Sequence, residues 1–239
     1  GNRSGQAISL MTREGFKNIS ELRGGIVSNQ SSLKLVTTES VANSEYVVDA
    51  SDMVDGNSLV AGTPKSALNE QEKNGIIQMR EEEKLARDVY TTLGKKWGMR
   101  VFDNIAGSEQ THTDAVKALI DRYGLIDPST DNTVGVFHSP DMQNLYNTLT
   151  ETGIRSLADA LVVGATIEDL DIRDLDVLMG GTDKQDILVT YQNLQKGSRN
   201  HMRAFVKNIA STGGAYVPQY ITPEAYAAII TAPQERGRI

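Results

Sequence analysis

The feature that most constrains this chain is the recurrence of charged residues where a helical core demands apolar ones. Ile76, Met79, Glu83, Ala86, Tyr90 and Leu93 advance by 3, 4, 3, 4 and 3 residues, the stripe of a helix packed against other helices. Glu83 sits in the middle of it. A second stripe runs Ile105, Glu109, His112, Val116, Leu119, Tyr123. A third runs Leu157, Leu161, Gly164, Glu168, Asp171, Leu175, Leu178, and a fourth Ile187, Tyr191, Leu194, Ser198, His201, Phe205. Four amphipathic helices with polar residues at the centre of each seam predict an all-α bundle built around a polar layer.

Start and stop signals bound these helices. Asn69 followed by Glu72 forms a capping box for the first, and Gly98 ends it. The second runs from Val101 or Asp103 to Tyr123, with Gly124 as its stop. The stretch from Leu125 to His138 is long for a hairpin and suits either a crossover or a loop over the mouth of a site. Ser139-Pro140 opens a short helix to about Thr152. The third long helix begins at Ser156 and ends at Gly180-Gly181; the fourth begins at Thr182 or Asp183. A short helix over Pro223–Thr231 is expected to pack outside the bundle or on a partner. The chain therefore divides into residues 1–30, a linker at 31–66, the bundle at 67–212 and a tail at 213–239.

Composition excludes several chemistries. With no cysteine among 239 residues, thiolate nucleophiles, disulfides and iron–sulfur clusters are out of reach of this chain. A net charge of −7 argues against a basic nucleic-acid surface. No apolar run reaches the roughly 18 residues of a membrane span, and Gly1 to Ser9 is too polar for a signal peptide. A soluble, cytoplasmic setting is favoured, with a secreted or surface-assembled one left open.

A carboxylate and an imidazole three residues apart on one helix face can grip one cation, as Glu109 and His112 would. Such a pair alone is more often a surface pair. Four seam carboxylates and two seam histidines together demand compensation, since an unpaired buried charge costs several kcal/mol or neutralises. A pair of metal ions is the simplest compensation. Glu81, Glu82, Asp169, Asp174 and Asp176 are expected at the solvent face, and His138 in a loop. Tyr90 and Tyr191 read as core residues with a satisfied hydroxyl. Arg87, Asp88 and Asn200 read either as partners of the ligands or as ordinary salt links.

The segments Arg80-Glu81-Glu82-Glu83-Lys84-Leu85-Ala86-Arg87-Asp88-Val89-Tyr90, Ser108-Glu109-Gln110-Thr111-His112 and Gly197-Ser198-Arg199-Asn200-His201 resemble the ferritin-like superfamily, and more narrowly an uncharacterised ferritin-like family of bacteria and archaea. The rubrerythrin-like pattern of that superfamily maps its ligands onto Glu83, Glu109 with His112, Glu168, and His201. Ser198 stands where the fourth-helix glutamate would be, and Asp171 is the candidate replacement. The resemblance implies two Fe or Mn ions, or one if Asp171 does not bind. It also implies an oxidoreductase acting on peroxide or O2, or a ferroxidase, in a homo-oligomer. The alternative is an assembly module, a cage or filament subunit whose metal site is structural or vestigial.

Residues 1–30, through Gly1-Asn2-Arg3-Ser4, Gly15-Phe16-Lys17-Asn18-Ile19 and Gly24-Gly25, resemble the C-terminal part of a rhodanese domain. The nucleophilic Cys of that family would precede Gly1, so sulfur transfer by this chain is not expected. Leu33–Thr38 and Tyr46–Ala50 are strand-prone, and residues 31–50 are candidates for strand addition to a partner's sheet edge.

Overall fold

A computed structural model describes residues 56–237. Among them every regular element is helical: α1 (Gly56–Val60), α2 (Glu70–Trp97), α3 (Arg100–Tyr123), α4 (Pro140–Gly153), α5 (Leu157–Met179), α6 (Gln185–Ser211) and α7 (Pro223–Thr231). The rhodanese-like segment and both strand-prone stretches lie outside the described residues. So does most of the linker, but its residues 56–60 form α1, whose Leu59 and Val60 are buried against α3 and α6.

The local signals act as the sequence implies. Asn69 Oδ1 accepts from Glu72 N, and Glu72 Oε2 accepts from Asn69 N, so two otherwise orphaned donors are satisfied at the start of α2. Gly98 and Gly124 end α2 and α3 in the left-handed conformation, at φ 63° and 67°. Ser139 and Ser156 cap α4 and α5. The fourth long helix starts slightly later than expected, at Gln185, because Thr182 is used elsewhere: its hydroxyl donates to Glu72 Oε1 and accepts from Lys184 N.

The apolar core is split in two. One cluster gathers Leu85, Val89, Tyr90 and Leu93 of α2 with Phe102 and Ile105 of α3, Leu161 of α5 and Phe205 of α6. The other gathers Ile76 and Met79 of α2 with Val116 and Leu119 of α3, Leu175 of α5 and Leu194 of α6. Glu83, Glu109, His112, Glu168 and His201 fall between them in every helix. This order also gives the direction of each helix. Along α2 and α6 the chain passes from the second cluster to the first; along α3 and α5 it passes the other way. α3 and α5 are therefore parallel, and the segment between them must travel back along the length of the four helices. It is a crossover, and it carries α4, which packs on α2 and α5.

That crossover explains a correction. Glu81 and Glu82 were expected at solvent but are buried, at 4% and 7% exposure. Residues 79–90 of α2 are buried on all sides, because the crossover covers the face that a bundle would leave wet. Lys84 Nζ donates to Thr133 O and Val136 O, and Arg87 Nη1 to the Asn132 side chain. Glu81 shares that face by helical spacing.

Candidate metal centre

Glu109 is the hub of the polar layer. Its Oε2 lies 2.7 Å from His112 Nδ1, and its Oε1 lies 2.8 Å from His201 Nδ1. Each imidazole nitrogen faces a second carboxylate. His112 Nδ1 is 3.1 Å from Glu83 Oε2, and His201 Nδ1 is 3.4 Å from Glu168 Oε2. The result is two triads, Glu83–Glu109–His112 and Glu109–Glu168–His201, each with ligand-capable atoms within 4.8 Å of one another and both sharing Glu109. The two rings are 5.4 Å apart, centroid to centroid. All five residues are buried.

The donor set fits a pair of metal ions. Glu83 Oε1 is buried without a hydrogen-bond partner, and the 2.8 Å approach of His201 Nδ1 to Glu109 Oε1 lacks hydrogen-bond geometry, an arrangement native interiors rarely tolerate. Ser108 Oγ lies 2.9 Å from His201 Nε2, which leaves Nδ1 as the nitrogen directed at the carboxylates. The charge balance is tense. Burial raises Glu83 to about 8 despite His112, and burial raises Glu168 despite His201. Burial opposes ionisation of Glu109 as well, yet His201 and His112 together hold it well below the usual carboxylate range. Burial disfavours the imidazoliums, but the carboxylates overcome it; His112 is raised well above its ordinary value and His201 to about 9.

Asp171 stands apart from both triads. It is partly buried, lines the same cavity as Glu83, Glu109 and Glu168, and accepts a hydrogen bond from the Ser198 hydroxyl. Burial first, then Glu83 and Glu168, raise its pKa well above the usual range. The two positions that depart from the expected ligand pattern are thus joined to each other. The cavity holds about 20 Å3, room for one water-sized molecule. Leu145 and Leu149 of α4 form part of its apolar wall.

Three surrounding residues have roles that the sequence reading did not assign to them. Ser108 is one, and its position four residues before His112 was the available signal. Gly197 is another: a Cβ built there would lie 2.3 Å from His112 Nε2. A glycine in the interior of a 27-residue helix carries a propensity cost, and here it makes room for the ring. The third is Asp169, expected at solvent but fully buried. It accepts hydrogen bonds from Tyr216 Oη and from the backbone N–H groups of Gln219, Tyr220 and Ile221, tying the tail to α5. Asp174 is likewise buried rather than solvated, whereas Asp176 is exposed and His138 lies in the loop before α4, as expected.

Tyr90 is a core residue with its hydroxyl satisfied, and the acceptor is a centre residue: it donates to Glu168 Oε1 at 2.6 Å. Arg87, Asp88 and Asn200 do not reach the triads. Arg87 pairs with Asp88 and Asn132, Asp88 also takes Lys84 and Gly135 N, and Asn200 is held by Arg203 and residue Glu235.

Fold and site together define a class, a protein all-helical among the described residues, with a buried, histidine-bearing carboxylate cluster midway along its long helices. The chain belongs to the family of the uncharacterized protein domain DUF2202, which it matches over residues 72–233, a span that includes both triads and excludes the rhodanese-like segment. It is 54% identical over 178 residues to the uncharacterized protein MJ0754 of Methanocaldococcus jannaschii, covering 74% of this chain and 96% of that protein. The crystal structure of hypothetical protein MJ0754 superposes with a TM-score of 0.72, covering 73% of this chain and 100% of that one. Among the described residues no helix is long and apolar enough to cross a membrane.

Proposed function

We propose that this chain is a ferritin-like four-helix bundle that binds two Fe or Mn ions and acts on peroxide or O2. The observation that carries the reading is Glu109, with one carboxylate oxygen toward each histidine, so that the two candidate triads share this one carboxylate. The parallel course of α3 and α5 and the crossover between them support the ferritin-like assignment. Glu83 and His112 would hold one ion and Glu168 and His201 the other, with Asp171 in the cavity wall as the sixth candidate. Fe or Mn bound there would supply the one-electron steps that peroxide or O2 chemistry requires. The chain's own contribution is to fix the ligands, through Ser108 on His201 and Tyr90 on Glu168, and to wall the cavity beside them with apolar side chains such as Leu145 and Leu149.

Elemental analysis of protein purified without chelators tests this directly. About two Fe or Mn per chain are expected, falling to background in His112→Ala/His201→Ala. Peroxide consumption by the metal-loaded chain should be lost in Glu109→Gln. A normally folded wild-type chain without Fe or Mn, after incubation with either, overturns the reading.

A further inference from the structure

The outer face of α6 is basic, and the chain's own tail lies on it. Lys196, Arg199, Asn200 and Arg203 recur at helical spacing, on the side turned away from Ser198 and His201. Lys196, Asn200 and Arg203 are nonetheless only 2%, 3% and 7% exposed. The segment after α7 meets them, and it is held as a peptide is held in a binding site. Asn200 reads its backbone in both directions: Asn200 Nδ2 donates to Glu235 O at 2.9 Å, and Asn200 Oδ1 accepts from Glu235 N at 3.0 Å. Arg199 grips the two Glu235 carboxylate oxygens at 2.8 and 2.6 Å, the forked geometry of strong arginine–carboxylate recognition. Arg203 Nη2 adds a third contact at 3.0 Å, and Lys196 Nζ donates to Gly237 O. Burial works against ionisation of Glu235, yet the two guanidiniums hold its carboxyl below the usual range.

We infer that this face of α6 is a docking site for an extended acidic peptide, occupied in cis by residues 232–237 and, in a dimer, by the same residues of a second copy. The contacts that hold Glu235 and Gly237 are all polar or charged. α7, which leads into the segment, buries only Ile229 of its nine residues, so little apolar surface retains this stretch. The Arg199–Glu235 fork is itself partly exposed and therefore open to water and salt. When the tail leaves, the cations and Asn200 lose their partners, a cost that favours another occupant. A second copy carries the matching one, with the same carboxylate and the same backbone beside it. Each copy then offers both receptor and tail, and docking is reciprocal, as in a two-fold symmetric dimer. The tether favours the chain's own tail through an effective concentration of roughly millimolar order, so exchange rises with protein concentration and with any loss of the cis contact. The site stands on the opposite face of α6 from the centre and does not depend on metal.

Charge reversal in the full chain separates the cis from the trans arrangement. Arg199→Glu and Glu235→Arg each set like charges at the fork within one chain, whereas each of these two variants offers the other an opposite charge. Surface plasmon resonance, with one variant immobilised and either variant flowed over it, should show the two different variants binding each other at least about tenfold more tightly than either binds itself, the least that a close interfacial charge pair contributes. An excess of the free peptide of residues 232–237 should compete that binding away. Arg199→Glu/Glu235→Arg in one chain restores opposite charges in cis and should bind itself no more tightly than wild type does. An unchanged circular dichroism spectrum verifies the fold of all three variants. Binding between the two single variants that is no tighter than self-binding overturns the docking site. Binding that the peptide leaves untouched overturns the tail as its occupant.

Discussion

Glu109 must face two imidazoles at once, and the surrounding residues make that geometry possible. His112 can stand at its place only because residue 197 has no side chain; a Cβ there would lie 2.3 Å from Nε2 and 2.5 Å from Cε1. Gly197→Ala should therefore displace the ring from Glu83 and Glu109. The expected outcome is a loss of about 1–3 kcal/mol in urea unfolding of the metal-free chain, the usual cost of overpacking, with reduced metal content on elemental analysis. Helix propensity alone would change stability the other way, since alanine is the better helix former. The sign of the change therefore separates the two effects.

At the scale of elements, the four long helices are held in place by what crosses them. The crossover is tied to α2 through Lys84, whose ammonium donates to Asp88 and to two loop carbonyls and lies 4.2 Å from the centre of the Phe137 ring. The tail is tied to α5 through Asp169, and to α6 through Arg199 and Arg203, which both reach Glu235. Asp169→Ala would leave the Tyr216 hydroxyl and three backbone N–H groups without their acceptor. Such orphaned donors cost about 1–3 kcal/mol, and the loss should appear in urea unfolding together with early hydrogen exchange at residues 219–221. Metal stoichiometry should remain at the wild-type level, because Asp169 faces the tail and not the triads.

For the whole molecule, acid stability divides into opposing contributions. Asp127 illustrates one. Burial works against its ionisation, yet the Arg80 guanidinium and the Ser129 N–H hold its carboxyl below the usual range. A depressed carboxylate stabilises fully above the unfolded pKa of about 4 and loses that contribution as pH falls through the folded value. Glu81, raised to about 7 by burial, acts in the opposite sense and destabilises the fold at higher pH. The test is therefore a difference. The stability gap between wild type and Asp127→Asn should be constant from neutrality down to about pH 5 and should close below about pH 4. A gap that widens in acid would mean that Arg80 does not govern this carboxylate.

Much of this protein was legible along the chain because helix periodicity is a local property. The four seams, the capping box at Asn69, the stops at Gly98 and Gly124 and the helix at Pro223–Thr231 are all set by residues within a turn or two of one another. The same periodicity picked out Glu83, Glu109, His112, Glu168 and His201, since a seam position points inward whatever the partner. Burial of Glu81, Glu82, Asp169 and Asp174 was not legible, because residues on the outer face of a helix become interior only when a distant segment lies over them. For the Lys84–Arg87 face of α2 that segment is the crossover, for Asp169 of α5 it is the tail, and no local pattern announces either. Nor could spacing decide which ligand candidates converge. The meeting of Glu109 with both histidines, and the pairing of Asp171 with Ser198, depend on how four helices are rotated against one another, which only their packing determines.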